Sequence, residues 1–102
     1  MTMEEKFKID ILRLMIEYSD HKEIVNIAKI VTSIEKLPEI ILDNEIYNID
    51  KEEKEDFELK LLTILKRYLG YKDNFTRFQK LEIILTEDDL PIVKSEVMLF
   101  NT

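Results

Sequence analysis

No cysteine occurs in the 102 residues, which excludes a disulfide-stapled secreted scaffold and a thiolate zinc site. The one histidine, His21, leaves no multi-histidine metal centre, and the one glycine, Gly70, leaves no glycine-rich phosphate loop. No uncharged apolar run reaches the ~18 residues of a membrane span. Glu4 and Glu5 precede the first apolar stretch, where a secretory leader would carry basic residues. A cytoplasmic, soluble protein is expected. Alanine occurs only at Ala28 and valine four times, so isoleucine and leucine must fill the core. That bias, with many Lys, Glu and Asn, suits an AT-rich bacterial or phage genome.

What is present is enough for one domain spanning residues 1–102. Apolar residues make up 45% and charged residues 36%, too apolar for a disordered chain. A chain of this length buries roughly 65% of its unfolded surface.

Phe7, Ile11, Leu14, Met15 and Tyr18 recur at helical spacing and define a first helix over 4–18. Ile9, Leu12 and Ile16 lie on its other faces, which suits a central helix or a dimer interface. Asp20 and Glu23 have capping-box spacing, and a second helix follows with Ile24, Ile27, Val31 and Ile34 as its stripe and Ala28 beside it. Pro38 ends that helix near Lys36. The first two helices then form an antiparallel hairpin. Pro38 to Asn44 is read as one or two helical turns burying Ile40, Ile41 and Leu42, and Asn44 to Ile49 as a loop. Asp50 and Glu53 repeat the capping-box spacing and open a third long helix that Gly70 closes in left-handed geometry. Its stripe is Phe57, Leu61, Ile64, Leu65 and Tyr68, while Lys51 to Asp56 carries no apolar residue and projects into water.

Residues 74–85 are read as a further helix with Phe75, Phe78, Leu81 and Leu85 inward. Asp88 or Asp89 caps a last one, with Pro91 in its first turn and Leu90, Val93, Val97 and Phe100 buried. The expected fold is therefore all-α, a bundle of five to six helices in which Phe57, Leu61, Ile64 and Tyr68 face Ile11, Leu14, Ile27 and Val31. The alternative is an α+β fold, because Leu81, Ile83 and Leu85 alternate, as do Val93, Ser95, Val97 and Leu99, so a β-hairpin at about 81–100 fits the same residues.

The net charge of −7 is unevenly placed. Between Glu39 and Glu58 nine acids stand against Lys51 and Lys54, and between Lys60 and Lys80 six bases stand against Asp73. Acids at a helix start and bases at its end complement the macrodipole. The same placement also builds an acidic surface for a basic partner. Asp43, Glu45, Glu52, Glu53, Glu55 and Asp56 are the residues such a surface would use.

Catalysis is not expected. His21, Ser19 and Asp20 are adjacent and point in different directions, with no oxyanion hole in view. Glu35 with Glu39 is split by Pro38, and Glu52 with Asp56 lies on a hydrated helix end, where nothing tunes a carboxyl pKa. No cofactor and no metal ion is expected, since no EF-hand spacing is present. Lys66, Arg67, Tyr71, Lys72, Arg77 and Lys80 have the basic-aromatic composition of a nucleic-acid contact, yet the net charge disfavours backbone binding. The expected function is that of a non-enzymatic protein that binds a basic protein partner and inhibits or regulates it, as an immunity protein, an antitoxin or a phage-encoded inhibitor does. The alternatives are a homo-oligomeric adaptor, with Ile9, Leu12 and Ile16 as a dimer face, and a nucleic-acid-binding regulator. No membrane partner is expected.

Overall fold

The computed structural model describes residues 1–21, 25, 27–70, 78–86 and 91–97. The first element is an α-helix, α1 (Met3–Tyr18), whose first turn is closed by the Thr2 hydroxyl accepting from the Glu5 amide at 3.2 Å. Strands β1 (Ala28–Thr32), β2 (Glu39–Leu42) and β3 (Glu45–Asn48) follow. A 3-10 turn at Lys51–Glu53 leads into α2 (Lys54–Leu69), and strands β4 (Phe78–Leu85) and β5 (Ile92–Val97) complete the described chain.

The fold is α+β, and the all-α bundle of five to six helices is overturned. The strands form one antiparallel sheet in the order β3-β2-β1-β4-β5. The expected second helix is the central strand instead. Residues 27–34 fit a helical stripe through Ile27, Val31 and Ile34, but Ile30, Val31 and Thr32 are consecutive β-branched residues whose side chains are confined in a helix and at ease in a sheet. Strand pairing on both sides of β1 decides the matter. Ala28, Ile30 and Thr32 point inward and are buried, so Ile27 is exposed and Val31 lies half-buried on the other face.

The expected helical turns at Pro38 to Asn44 and the loop to Ile49 form a hairpin. Asp43 and Asn44 have φ of 47° and 74°, and Leu42 faces Glu45 across them. Two consecutive left-handed residues make the two-residue turn whose twist suits a β-hairpin, and Asp and Asn tolerate that geometry. The helices expected at 74–85 and after Asp88 give way to β4 and β5, which pair from Ile84 and Ile92 to Phe78 and Val97. These two strands use the alternation behind the alternative hairpin at 81–100, within a sheet that is far larger than that hairpin. Ile24, Glu23, Phe75, Leu90 and Phe100, which the helical reading also used, and Leu99, which the hairpin alternative used, lie outside the described residues.

Both long helices stand where their stripes put them. Phe7, Ile11, Leu14 and Met15 of α1 and Phe57, Leu61, Ile64 and Leu65 of α2 are buried against Ile30, Ile40, Leu42, Leu81 and Ile83 of the sheet. The helices run antiparallel, since Phe7 meets Tyr68 at 5.7 Å between ring centroids and Tyr18 meets Phe57 at 5.1 Å. Gly70 ends α2 at φ 64°. The Asp50–Glu53 capping box does not form; the Glu53 amide bonds the Asp50 carbonyl oxygen at 3.0 Å and closes the 3-10 turn instead. A radius of gyration of 13.3 Å is that of one compact unit, for which about 13 Å is expected at a hundred residues.

Candidate functional site

Antiparallel helices bring the end of α1 to the start of α2, and this junction organises the charge. The Tyr18 hydroxyl donates to the Asp56 carboxylate, and Lys60 bridges Glu17 at 2.6 Å and Asp56 at 3.4 Å. Lys60 also lies 5.3 Å from the centroid of the Tyr18 ring. Asp56 is held below the ordinary carboxylate range, first by the Tyr18 hydrogen bond. Lys60 is raised above the usual lysine range, first by its bond to Glu17. On the edge strand β3, Tyr47 donates to Glu45 at 2.7 Å, its ring lies 6.5 Å from His21, and the charge of Asp20 reaches it. Tyr47 is consequently pushed above the usual phenol range, chiefly by the Glu45 bond.

The junction of the two helices thus gathers carboxylates from the end of α1 and the start of α2. Glu17 comes from the last turn of α1, Asp20 from just beyond it, and Asp50, Glu52, Glu53, Glu55 and Asp56 from the turn and first residues of α2, while Glu45, level with Leu42 and Ala28, stands toward the other end of the strands from Thr32 and Glu58. The bases among them are Lys51, Lys54 and Lys60. Sequence reasoning found the run on α2 and missed Glu17 and Asp20. Only the antiparallel helix pair brings those two across.

The six acids expected to form a partner surface divide into two kinds. Asp43 is structural: its carboxylate accepts from the Ile27 amide at 3.0 Å and its own amide donates to the Ile27 carbonyl at 2.8 Å, fixing the β2–β3 turn to the start of β1. Glu45 and Asp56 hold the Tyr47 and Tyr18 hydroxyls. Glu52, Glu53 and Glu55 are exposed, and among the described residues none of them forms an ion pair. Their place at the start of α2 also suits the positive end of its dipole.

The basic set is not brought together. Lys66 and Arg67 are exposed near the end of α2, where Arg67 pairs with Asp10 at 3.4 Å. Lys80 projects from the beginning of β4, on the sheet face away from the helices, and pairs with Glu82 at 3.5 Å. Because Thr32 faces Leu81 and also bonds Glu58 early in α2, the start of β4 lies at the opposite end of the sheet from Lys66 and Arg67. Tyr71, Lys72 and Arg77 lie outside the described residues. Ile9, Leu12 and Ile16, the expected dimer stripe, are each half-buried on α1, and Leu12 packs against the core.

The neighbours Ser19, Asp20 and His21 form a local turn in which the Ser19 hydroxyl accepts from the His21 amide at 3.3 Å. Among the described residues no cluster of three or more His, Asp or Glu converges as a metal site, and no helix is long and apolar enough to cross a membrane. The groove between the helices, about 300 Å³, is lined by Asp10, Arg13, Glu17, Lys60 and Arg67, whose charges largely pair with one another.

A second polar contact was missed. Thr32, the one buried polar residue among those described, donates to Glu58 at 3.2 Å across the layer between β1 and α2. Burial pushes Glu58 above the ordinary glutamate range against the opposing pull of Lys54. Neither the threonine in the strand nor the glutamate on the helix carries a sequence signal for this pairing. With the geometry in place, comparison with protein-family models, curated proteins and solved structures finds no match to this chain.

Proposed function

We propose that this chain is a non-enzymatic binding protein that occupies a basic protein partner and inhibits or regulates it, in the manner of an immunity protein, an antitoxin or a phage-borne inhibitor. The observation that carries the reading is the gathering of carboxylates from the end of α1 and the start of α2 at the junction of the two helices. Carboxylates spread over such a surface match the positions that phosphates take on a basic nuclease or other nucleic-acid-binding protein, and they speed encounter by steering. Glu52, Glu53 and Glu55 can meet a partner's Lys and Arg without breaking any ion pair of their own.

The test immobilises the chain, passes nuclease-treated extract of the source cell over it, and compares wild type with the triple reversal Glu52→Lys, Glu53→Lys and Glu55→Lys. Retention of one basic protein, released by salt and lost from the variant, supports the reading, because charges separated by more than about 8 Å are screened at physiological ionic strength. Equal retention by the variant, or recovery of nucleic acid when nuclease is omitted, overturns it.

A further inference from the structure

The edge of the sheet opposite β3 is β5. One row of its backbone N–H and C=O groups has no neighbouring strand among the described residues, and such an edge is a template for another strand. Its middle residues Lys94, Ser95 and Glu96 are exposed. Lys94 faces Glu82 and Glu96 faces Lys80 across β4. Glu82 alternates with the buried Leu81 and Ile83, so all four charges stand on the face away from the helices, and together they sum to zero in a chain of net charge −7.

We propose that β5 pairs antiparallel with β5 of a second copy about a two-fold axis through Ser95, joining two five-stranded sheets into one. The register follows from charge and parity. Directly opposite residues of an antiparallel pair share a face, so two identical strands can meet with Lys94, Ser95 or Glu96 at the axis but with no half-step between them. An axis at Lys94 sets amine against amine, and an axis at Glu96 sets carboxylate against carboxylate. The axis at Ser95 sets Lys94 opposite Glu96 of the partner subunit, twice by symmetry. Read across four strands, the row is then Lys80, Glu96, the partner's Lys94 and the partner's Glu82, alternating in sign at every step. Opposite charges directly across a strand pair stabilise it and like charges destabilise it.

The placement also answers the obstacle to self-association, which is the repulsion between two acidic molecules. The contact joins Lys80, Glu82, Lys94 and Glu96, which sum to zero, at the sheet edge opposite β3, so the strands that meet bring no excess of one sign against the other. This inference does not rest on the proposed function, since a dimer forms or fails to form whatever the acidic helix junction binds.

Light scattering and sedimentation at micromolar to high-micromolar concentration test it with charge swaps. Wild type is expected to dimerise. Lys94→Glu alone and Glu96→Lys alone should each weaken the dimer about tenfold, because two opposite-charge pairs become like-charge pairs. The double swap should restore it. An equimolar mixture of the two single variants should form heterodimers, whose pairs are again complementary. Circular dichroism checks that each variant keeps its fold, and Ser95→Cys supplies a readout free of charge changes. As the chain's one thiol it should give a disulfide-linked dimer on mild oxidation, which Lys66→Cys on α2 should not. A wild-type monomer at every concentration overturns the proposal. So does association that survives both single reversals, or that is lost on Ile9→Lys and Ile16→Lys while both reversals leave it intact.

Discussion

The two faces of the sheet are built from the same three central strands and do opposite things. Toward the helices, Ile30, Ile40, Leu81 and Ile83 are fully buried and interlock with Ile11, Phe57 and Leu61. Away from the helices, the residues between them are Lys29, Val31, Glu39, Ile41, Glu82 and Ile84, each half-buried. A carboxylate meets the sheet on each side. Glu58, reaching Thr32 from the helix layer, is pushed up by desolvation, whereas Glu82, on the open face, is held down by its bond to Lys29. Both side chains are similarly shielded, 17% exposed at Glu58 and 14% at Glu82, so the lysine contact, 4.0 Å at Glu58 and 3.0 Å at Glu82, sets the sign of each contribution. A carboxylate shielded from water without a close countercharge opposes folding, and one clasped by lysine supports it.

Neighbouring residues of the central strand put this contrast to its hardest test. Ile30→Ala removes a fully buried side chain and should cost about 2–5 kcal/mol in urea unfolding, whereas Val31→Ala on the open face should cost about 1 kcal/mol or less. Equal losses would mean that the open face is covered as tightly as the inner one. A more modest change is expected at the polar contact. Thr32→Val keeps the shape of the side chain but removes the hydroxyl that donates to Glu58, which should cost about 1 kcal/mol and push the Glu58 carboxyl higher still. Proton titration followed by NMR on the Glu58 side chain reads the second outcome directly.

The same contrast explains what could be read from the residues alone. Phe7, Ile11, Leu14 and Met15 recur at a spacing that only a helix satisfies, and Gly70 marks the end of α2 because its left-handed φ is easy for glycine. The strands gave no comparably exclusive pattern. Their open face keeps Val31, Ile41 and Ile84, so β1, β2 and β4 read as runs of aliphatic residues rather than as clean alternation, and runs of this kind fit a helix stripe as well. Two local signals did point to strands, the β-branched run Ile30 to Thr32 and the Asp43–Asn44 pair that forms the turn. Thr2 and Glu5 had the capping-box spacing that closes α1. The acidic run on α2 was legible as charge, but its union with Glu17 and Asp20 depends on how the helices pack, which no local pattern encodes.

Acidity separates the two carboxylates further. Because burial raises the Glu58 carboxyl in the folded state, the folded protein keeps that proton to higher pH than the unfolded chain does. Its contribution therefore favours folding at low pH and is lost as pH rises through the raised value. Glu58→Gln retains an oxygen for Thr32 and has no charge to desolvate. The variant should match wild type in acid and be the more stable of the two at neutral pH, by about 1 kcal/mol or less, as urea unfolding across the acid-to-neutral range would show.

On the open face the expected change is slighter still, and its sign is the reverse. Lys29 holds Glu82 at 3.0 Å, with Lys80 at 3.5 Å on the other carboxylate oxygen, and lowers the Glu82 carboxyl below its ordinary value. The unfolded chain then takes up the Glu82 proton at higher pH than the folded protein does. The pair's support is complete above the ordinary glutamate value and is lost as pH falls through the lowered one. Lys29→Met keeps the apolar stem that crosses the sheet surface and removes the charge, so the cost at neutral pH should be about 0.5–1 kcal/mol. That cost should shrink in acid, where Glu82 is neutral in both proteins. It should also shrink with added salt, because Lys29 remains partly open to solvent. A cost that grew on acidification would place Lys29 in service of some group other than Glu82, and the opposition between the two faces of the sheet would then rest on packing alone.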